Sequence, residues 1–232
     1  MGEATVRGSS AGPFGSIGLS SSLVTPWLWP RRLVWWILLA GAVPVGIYSM
    51  RFLLPITPHL LKAMRLNVIH PDTLLVHSVA GSLALLAGPW QMLASVRRKA
   101  PALHRWLGRF YVASVGVGWV ASLVLTPWAT GGLPSAAAFG AGGALWMGFC
   151  VAGISAVRRG DLRAHRRWML RSYALTWAPV TIRPYVGLAV MLDAPFPVAL
   201  AIGLWLSCIT NLLLVEAWLA RRNRDAGIQF SS

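Results

Sequence analysis

The sequence predicts an all-α fold: a polytopic membrane helix bundle of about six transmembrane helices with both termini cytoplasmic. Three observations carry this. Of the 232 residues, 56% are hydrophobic and only 12% charged, where an ordinary soluble domain has about 25%. Apolar runs of about 20 residues, the length a bilayer core requires, recur along nearly the whole chain. The 21 Lys+Arg, against 6 Asp+Glu, sit in short clusters between those runs rather than on one face, which disfavours a nucleic-acid partner.

Residues 1–30 are rich in Gly and Ser, with few large apolar groups before Trp27. They lack the hydrophobic core of a cleavable signal peptide and read as a disordered tail. Val6 stands where a myristoylation signal needs Ser or Thr. Residues 31–222 form the six-helix domain and residues 223–232 a short C-terminal tail.

The first span runs from about Arg32 to Leu54. A second goes from about Thr73 to Val96, ending at Arg97-Arg98-Lys99, and a third from Pro101 to about Thr126-Pro127. The fourth lies between Pro134 and Val157, the fifth covers about His165 to Leu192, and the sixth about Pro197 to Ala220. Between the first two, residues 55–72 allow a short amphipathic helix in the interface, with His59, Lys62, Arg65 and His70 among apolar residues. Many of the 13 Trp fall at span ends, where an amphipathic ring gains from headgroup depth.

Orientation follows from the basic residues. With six spans, 17 of the 21 Lys+Arg fall on one side and only Arg51, Lys62 and Arg65 on the other, leaving Arg183 inside the fifth span. Cytoplasmic helix ends retain Lys and Arg, so both termini are expected on the cytoplasmic side of the plasma (inner) membrane. A count of five or seven would destroy this asymmetry.

Several polar residues sit where lipid should exclude them. His77, Gly81, Ala84, Gly88 and Gln91 recur on one face of the second span. This stripe is either a packing seam with a hydrogen-bonded His or a ligand or proton site at His77. Arg183 lies near mid-depth in the fifth span, between Pro179 and Pro184. A charge there costs about 2.5–3.5 kcal/mol unless paired or hydrated, and the prolines predict a kinked helix bordering a wet cavity. His77 and Asp72 are the partners expected for Arg183. On the sixth span, Asn211 and Glu216 lie toward the inner end, with Glu216 about one turn from Arg221 and expected to snorkel to the interface and pair with an inner Arg. Cys150 and Cys208 lie singly in apolar runs and read as small fillers.

The third and fifth spans open alike, with His104-Arg105-Trp106-Leu107-Gly108-Arg109-Phe110-Tyr111 and His165-Arg166-Arg167-Trp168-Met169-Leu170-Arg171-Ser172-Tyr173. The similarity reads either as a parallel repeat of two-helix hairpins or as a basic, Trp-bearing helix entry used twice for topology. His104 and His165, at equal depth, are candidates to converge on one ligand beside Arg105, Arg109, Arg166 and Arg171. Haem b, with the two histidines as iron ligands, is one option. An anionic lipid headgroup, a quinone-type ligand or another membrane subunit fits the arginines equally well.

His77 with Gly88-Pro89-Trp90-Gln91, the two basic openings above, Tyr173-Ala174-Leu175 with Arg183, and Trp205 with Asn211 and Glu216 together resemble one family. It is the group of bacterial predicted membrane proteins known as domain of unknown function 2306, and the resemblance spans about Thr73 to Glu216. It implies a multi-pass membrane protein and assigns no role to the matched residues. Three functional classes stay open. One is a redox-associated protein using His104 and His165. The second is a small transporter or proton-coupled carrier using His77 and Arg183, and the third a structural partner packing through its glycine seams. No GxSxG, HExxH, phosphate loop or carboxylate pair marks a soluble-type hydrolase.

Overall fold

The computed structural model describes residues 31–50 and 71–228. The tail at 1–30 and nearly all of the interfacial segment at 55–72 lie outside the described residues. The described chain is all helical: α1 (Arg31–Met50), α2 (Pro71–Met92), α3 (Ala94–Lys99), α4 (Pro101–Leu125), α5 (Gly132–Arg158), α6 (Leu162–Thr176), α7 (Ala178–Met191) and α8 (Phe196–Ile228). A single 3₁₀ turn, Thr126–Trp128, follows α4.

Five of these helices, α1, α2, α4, α5 and α8, are long and apolar enough to cross a membrane. The expected fifth span is two helices, broken at Trp177 rather than merely kinked. Pro179 sits in the first turn of α7, where its missing N–H costs nothing. The second span stops earlier than expected, at Met92. Leu93 is extended (φ −67°, ψ 122°), and the basic cluster forms its own helix, α3. Residues 223–228, expected as tail, continue α8.

Local chemistry sets the turns. Asp161 caps α6, its carboxylate accepting from the Ala164 amide at 2.8 Å, and Gly160 turns with φ 80°. Gly131 enters α5 at φ 99°, and an added Cβ would lie 2.5 Å from the Pro197 carbonyl oxygen and against Ser135. Only glycine meets both demands.

Helices α2, α4, α5 and α6 make a four-helix core. Within it α2 packs on α4 and α6, and α5 packs on the same two, which leaves α4 and α6 as a diagonal pair. Helix α1 covers α2 and α7, while α8 covers α5, α6 and α7. The interior is built of small and polar residues, among them Ala42, Ala84, Ser135, Ser172 and Ser207, all fully buried. Large apolar groups such as Ile47, Leu213 and Leu214 face outward. That inversion is what lipid permits, since apolar surface gains nothing by leaving it.

Candidate functional site

The centre of the bundle holds a buried polar cluster. Tyr111 Oη on α4 lies 2.8 Å from Ser172 Oγ and 2.6 Å from Thr176 Oγ1, both on α6. From α5, Trp146 Nε1 donates to Thr176 Oγ1 at 2.8 Å, and Cys150 Sγ lies 3.1 Å from Ser172 Oγ. The proton order follows by elimination. Thr176 donates to the Ser172 carbonyl at 3.0 Å, so its two lone pairs accept from Trp146 and Tyr111. Tyr111 then accepts from Ser172, which accepts from the Cys150 thiol. Every donor is used, as burial in lipid demands. Cys150 is thus a hydrogen-bonding member of the core rather than the inert filler expected.

The stripe on α2 is a packing seam with polar ends. At Gly88 an added Cβ would collide with the Tyr173 ring. Pro89 has no N–H to offer the Leu85 carbonyl four residues back, and Tyr173 Oη donates there instead, at 3.1 Å. The Pro89 carbonyl, at the helix end, accepts from Trp35 Nε1 at 3.0 Å. Arg97 Nη1 closes the remaining carbonyls, Met92 at 2.8 Å and Gln91 at 3.2 Å. Gly-Pro-Trp-Gln is therefore a docking surface for Tyr173 and a helix stop. At the far end His77 Nδ1 lies 2.9 Å from the Gly118 carbonyl oxygen, with its ring 5.4 Å from that of Phe139.

One sequence expectation is corrected here. Arg183 does not meet His77 or Asp72: it donates to the Pro179 carbonyl on its own helix and lies 5.6 Å from the Tyr48 ring on α1. Glu216 pairs with one of the arginines at its end of the bundle, as expected, and that arginine is Arg171, through Nε at 2.5 Å and Nη2 at 2.8 Å. Asn211 lies buried, donating to the Ala174 carbonyl and to Thr181 Oγ1, both at 3.0 Å. Its amide thereby spans the break between α6 and α7.

His104 and His165 come to the same end of the core. Each precedes by seven residues one partner of the Tyr111–Ser172 bond, and seven residues are two helical turns, which return nearly to the same face. The diagonal pair α4 and α6 is thus tied in mid-bundle and presents an imidazole on each helix two turns away. His165 Nδ1 lies 2.9 Å from the Gly153 carbonyl oxygen. A carbonyl only accepts, so Nδ1 carries the proton and the Nε2 lone pair is left for another partner. Among the described residues His104 Nδ1 is buried without a hydrogen-bond partner, while Gln91 Nε2 donates to the His104 carbonyl at 3.0 Å. The Arg97 and Arg105 guanidiniums and the His165 ring lie within electrostatic reach of His104. Arg105, Arg109 and Arg166 are exposed, and Arg166 lies 6.0 Å from the Trp218 ring. Among the described residues no group of three His, Cys, Asp or Glu is placed to hold a metal ion by itself.

These features define a class: a multi-pass α-helical membrane protein whose four-helix core carries a buried polar staple and a histidine on each of two diagonal helices. The chain belongs to the family described as predicted membrane protein, domain of unknown function 2306, whose model matches residues 74–219. No curated protein and no solved structure matches it. The matched stretch begins near the start of α2 and ends in α8, so it takes in the whole four-helix core.

Sequence reasoning did not single out Ser172, Thr176, Trp146 or Cys150 as a cluster. Their signal was present as an i, i+4 hydroxyl pair inside an apolar run, the spacing that puts Ser172 and Thr176 on one face.

Proposed function

We propose that the chain is a redox-associated protein of the bacterial inner membrane, holding a haem- or quinone-type ligand between His104 and His165 near the cytoplasmic face. One observation carries the reading: the two imidazoles stand on the diagonal helices of a four-helix core, in register through the Tyr111–Ser172 bond. Facing helices of a bundle are where such proteins place cofactor ligands. The carbonyl bond from His165 Nδ1 fixes ring orientation as second-shell partners of ligating histidines do. A buried ring nitrogen without a partner, as at His104, costs about 1–3 kcal/mol, which a ligand accepting or donating there would offset. His104 and His165 would hold a bound haem, which would supply one-electron chemistry, with Arg97 and Arg105 offsetting propionate charge. A quinone would instead place a carbonyl oxygen against an imidazole N–H.

The test is an oxidised and a reduced absorption spectrum of the purified full-length protein, followed by solvent extraction for quinone. A Soret band, or quinone in stoichiometric amount, is expected in the parent and absent in His104→Ala and His165→Ala. A colourless protein whose extract holds no quinone overturns the reading. So does a bound cofactor that survives both substitutions.

A further inference from the structure

A second polar site lies outside the four-helix core, between α6 and α8. A cavity of about 240 Å³ opens there, lined by Arg167, Trp168, Arg171, Glu216 and Asn223. We propose that it binds the phosphate group of an anionic phospholipid from the leaflet at the His104 end of the bundle. This is independent of the His104 and His165 reading.

The charges decide the ligand. Glu216 would repel an anion, but both of its oxygens are engaged by Arg171. That pair is self-compensating, and the Arg171 guanidinium carbon lies 4.7 Å from the Trp168 ring centroid. Arg167 has no hydrogen bond or ion pair among the described residues, so the cavity keeps one uncompensated positive charge. A second cation stands just outside, Arg222 at 4.8 Å from the Trp218 ring. At about 30 Å³ per water molecule, the cavity has room for a phosphate group and several waters.

Position decides the source. The cavity lies at the end of the apolar stretch Phe196–Asn223, with Trp168 and Trp218 at the depth where aromatic rings meet headgroups. Farther up α8, Leu213 and Leu214 are 62% and 69% exposed. They give acyl chains an apolar surface to follow from a phosphate seated below.

Native mass spectrometry of the full chain, released from detergent micelles doped with phosphatidylglycerol or phosphatidylcholine, tests this. The parent is expected to retain one phosphatidylglycerol that Arg167→Gln binds about fivefold more weakly, the effect of one basic group at an anionic surface. Arg159→Gln, an exposed arginine outside the cavity, should bind like the parent. Phosphatidylcholine should be retained no better by the parent than by Arg167→Gln. Equal retention of the two lipids by the parent overturns the proposal. The same holds if Arg167→Gln keeps phosphatidylglycerol as the parent does, or if the parent binds inorganic phosphate but no phosphatidylglycerol.

Discussion

A methyl group added at Gly88 would lie inside the Tyr173 ring, whereas one added at Gly81, two turns earlier on α2, would meet nothing within 4 Å. Gly88→Ala should therefore cost about 1–3 kcal/mol as overpacking. Gly81→Ala should be neutral or stabilising by up to about 1 kcal/mol, through helix propensity. Thermal unfolding of the detergent-solubilised protein compares them, and equal shifts would refute the seam as described. The hydroxyl cluster makes a second contrast. Tyr111→Phe strands the Ser172 hydroxyl proton without an acceptor, a loss of about 1–3 kcal/mol. Cys150→Ala removes only a weak terminal donor and leaves no donor orphaned, so its effect in the same assay should be clearly smaller. The stripe from His77 to Gln91 was legible in the sequence because spacing alone puts its residues on one face. What fills it was not: Tyr173 reaches Leu85 across 88 residues of chain, and no local pattern encodes that pairing.

Among the elements, the broken pair α6 and α7 shows the same division. Pro179 and Pro184 announce an interruption to any reader of the sequence. The stop at Trp177 and the clamp across it depend on α8, whose Asn211 supplies one amide to both sides of the break. Asn211→Leu should loosen that joint, costing about 1–3 kcal/mol through an unsatisfied carbonyl at Ala174. Amide hydrogen exchange should localise the change to residues 174–181. Uniform loss of protection along α8 instead would show that Asn211 merely packs. Which arginine Glu216 meets was not legible in the sequence for a related reason. Arg221 is near in sequence, but α6 brings Arg171 to the carboxylate with both nitrogens in line. With 21% and 48% of these side chains exposed, a double-mutant cycle should give a coupling under about 1 kcal/mol that fades with salt.

For the whole molecule the open quantity is the number of crossings. Five unbroken helices qualify by length and apolarity. The first two turns of α6 carry Arg163, Arg166 and Arg167, so they belong to the wet interface. From Trp168 to Met191 the two helices hold roughly 24 residues, about 36 Å of helix at 1.5 Å each, against a bilayer core of about 30 Å. That suffices to cross once despite the break, and the break itself is shielded by α8 and α1 rather than left to lipid. Six crossings also keep 17 of the 21 Lys+Arg on one side, as the positive-inside rule requires. Reporter fusions after Gly131, Arg159, Asp193 and Asn223 give the decisive comparison. Cytoplasmic reporter activity is expected after Arg159 and Asn223, and its opposite after Gly131 and Asp193. If α6 and α7 did not cross, Asp193 would report on the same side as Arg159 and Asn223 on the other. The inner-end arginines would then be divided between leaflets, and Arg167 and Asn223 would no longer share a cavity with Arg171 and Glu216.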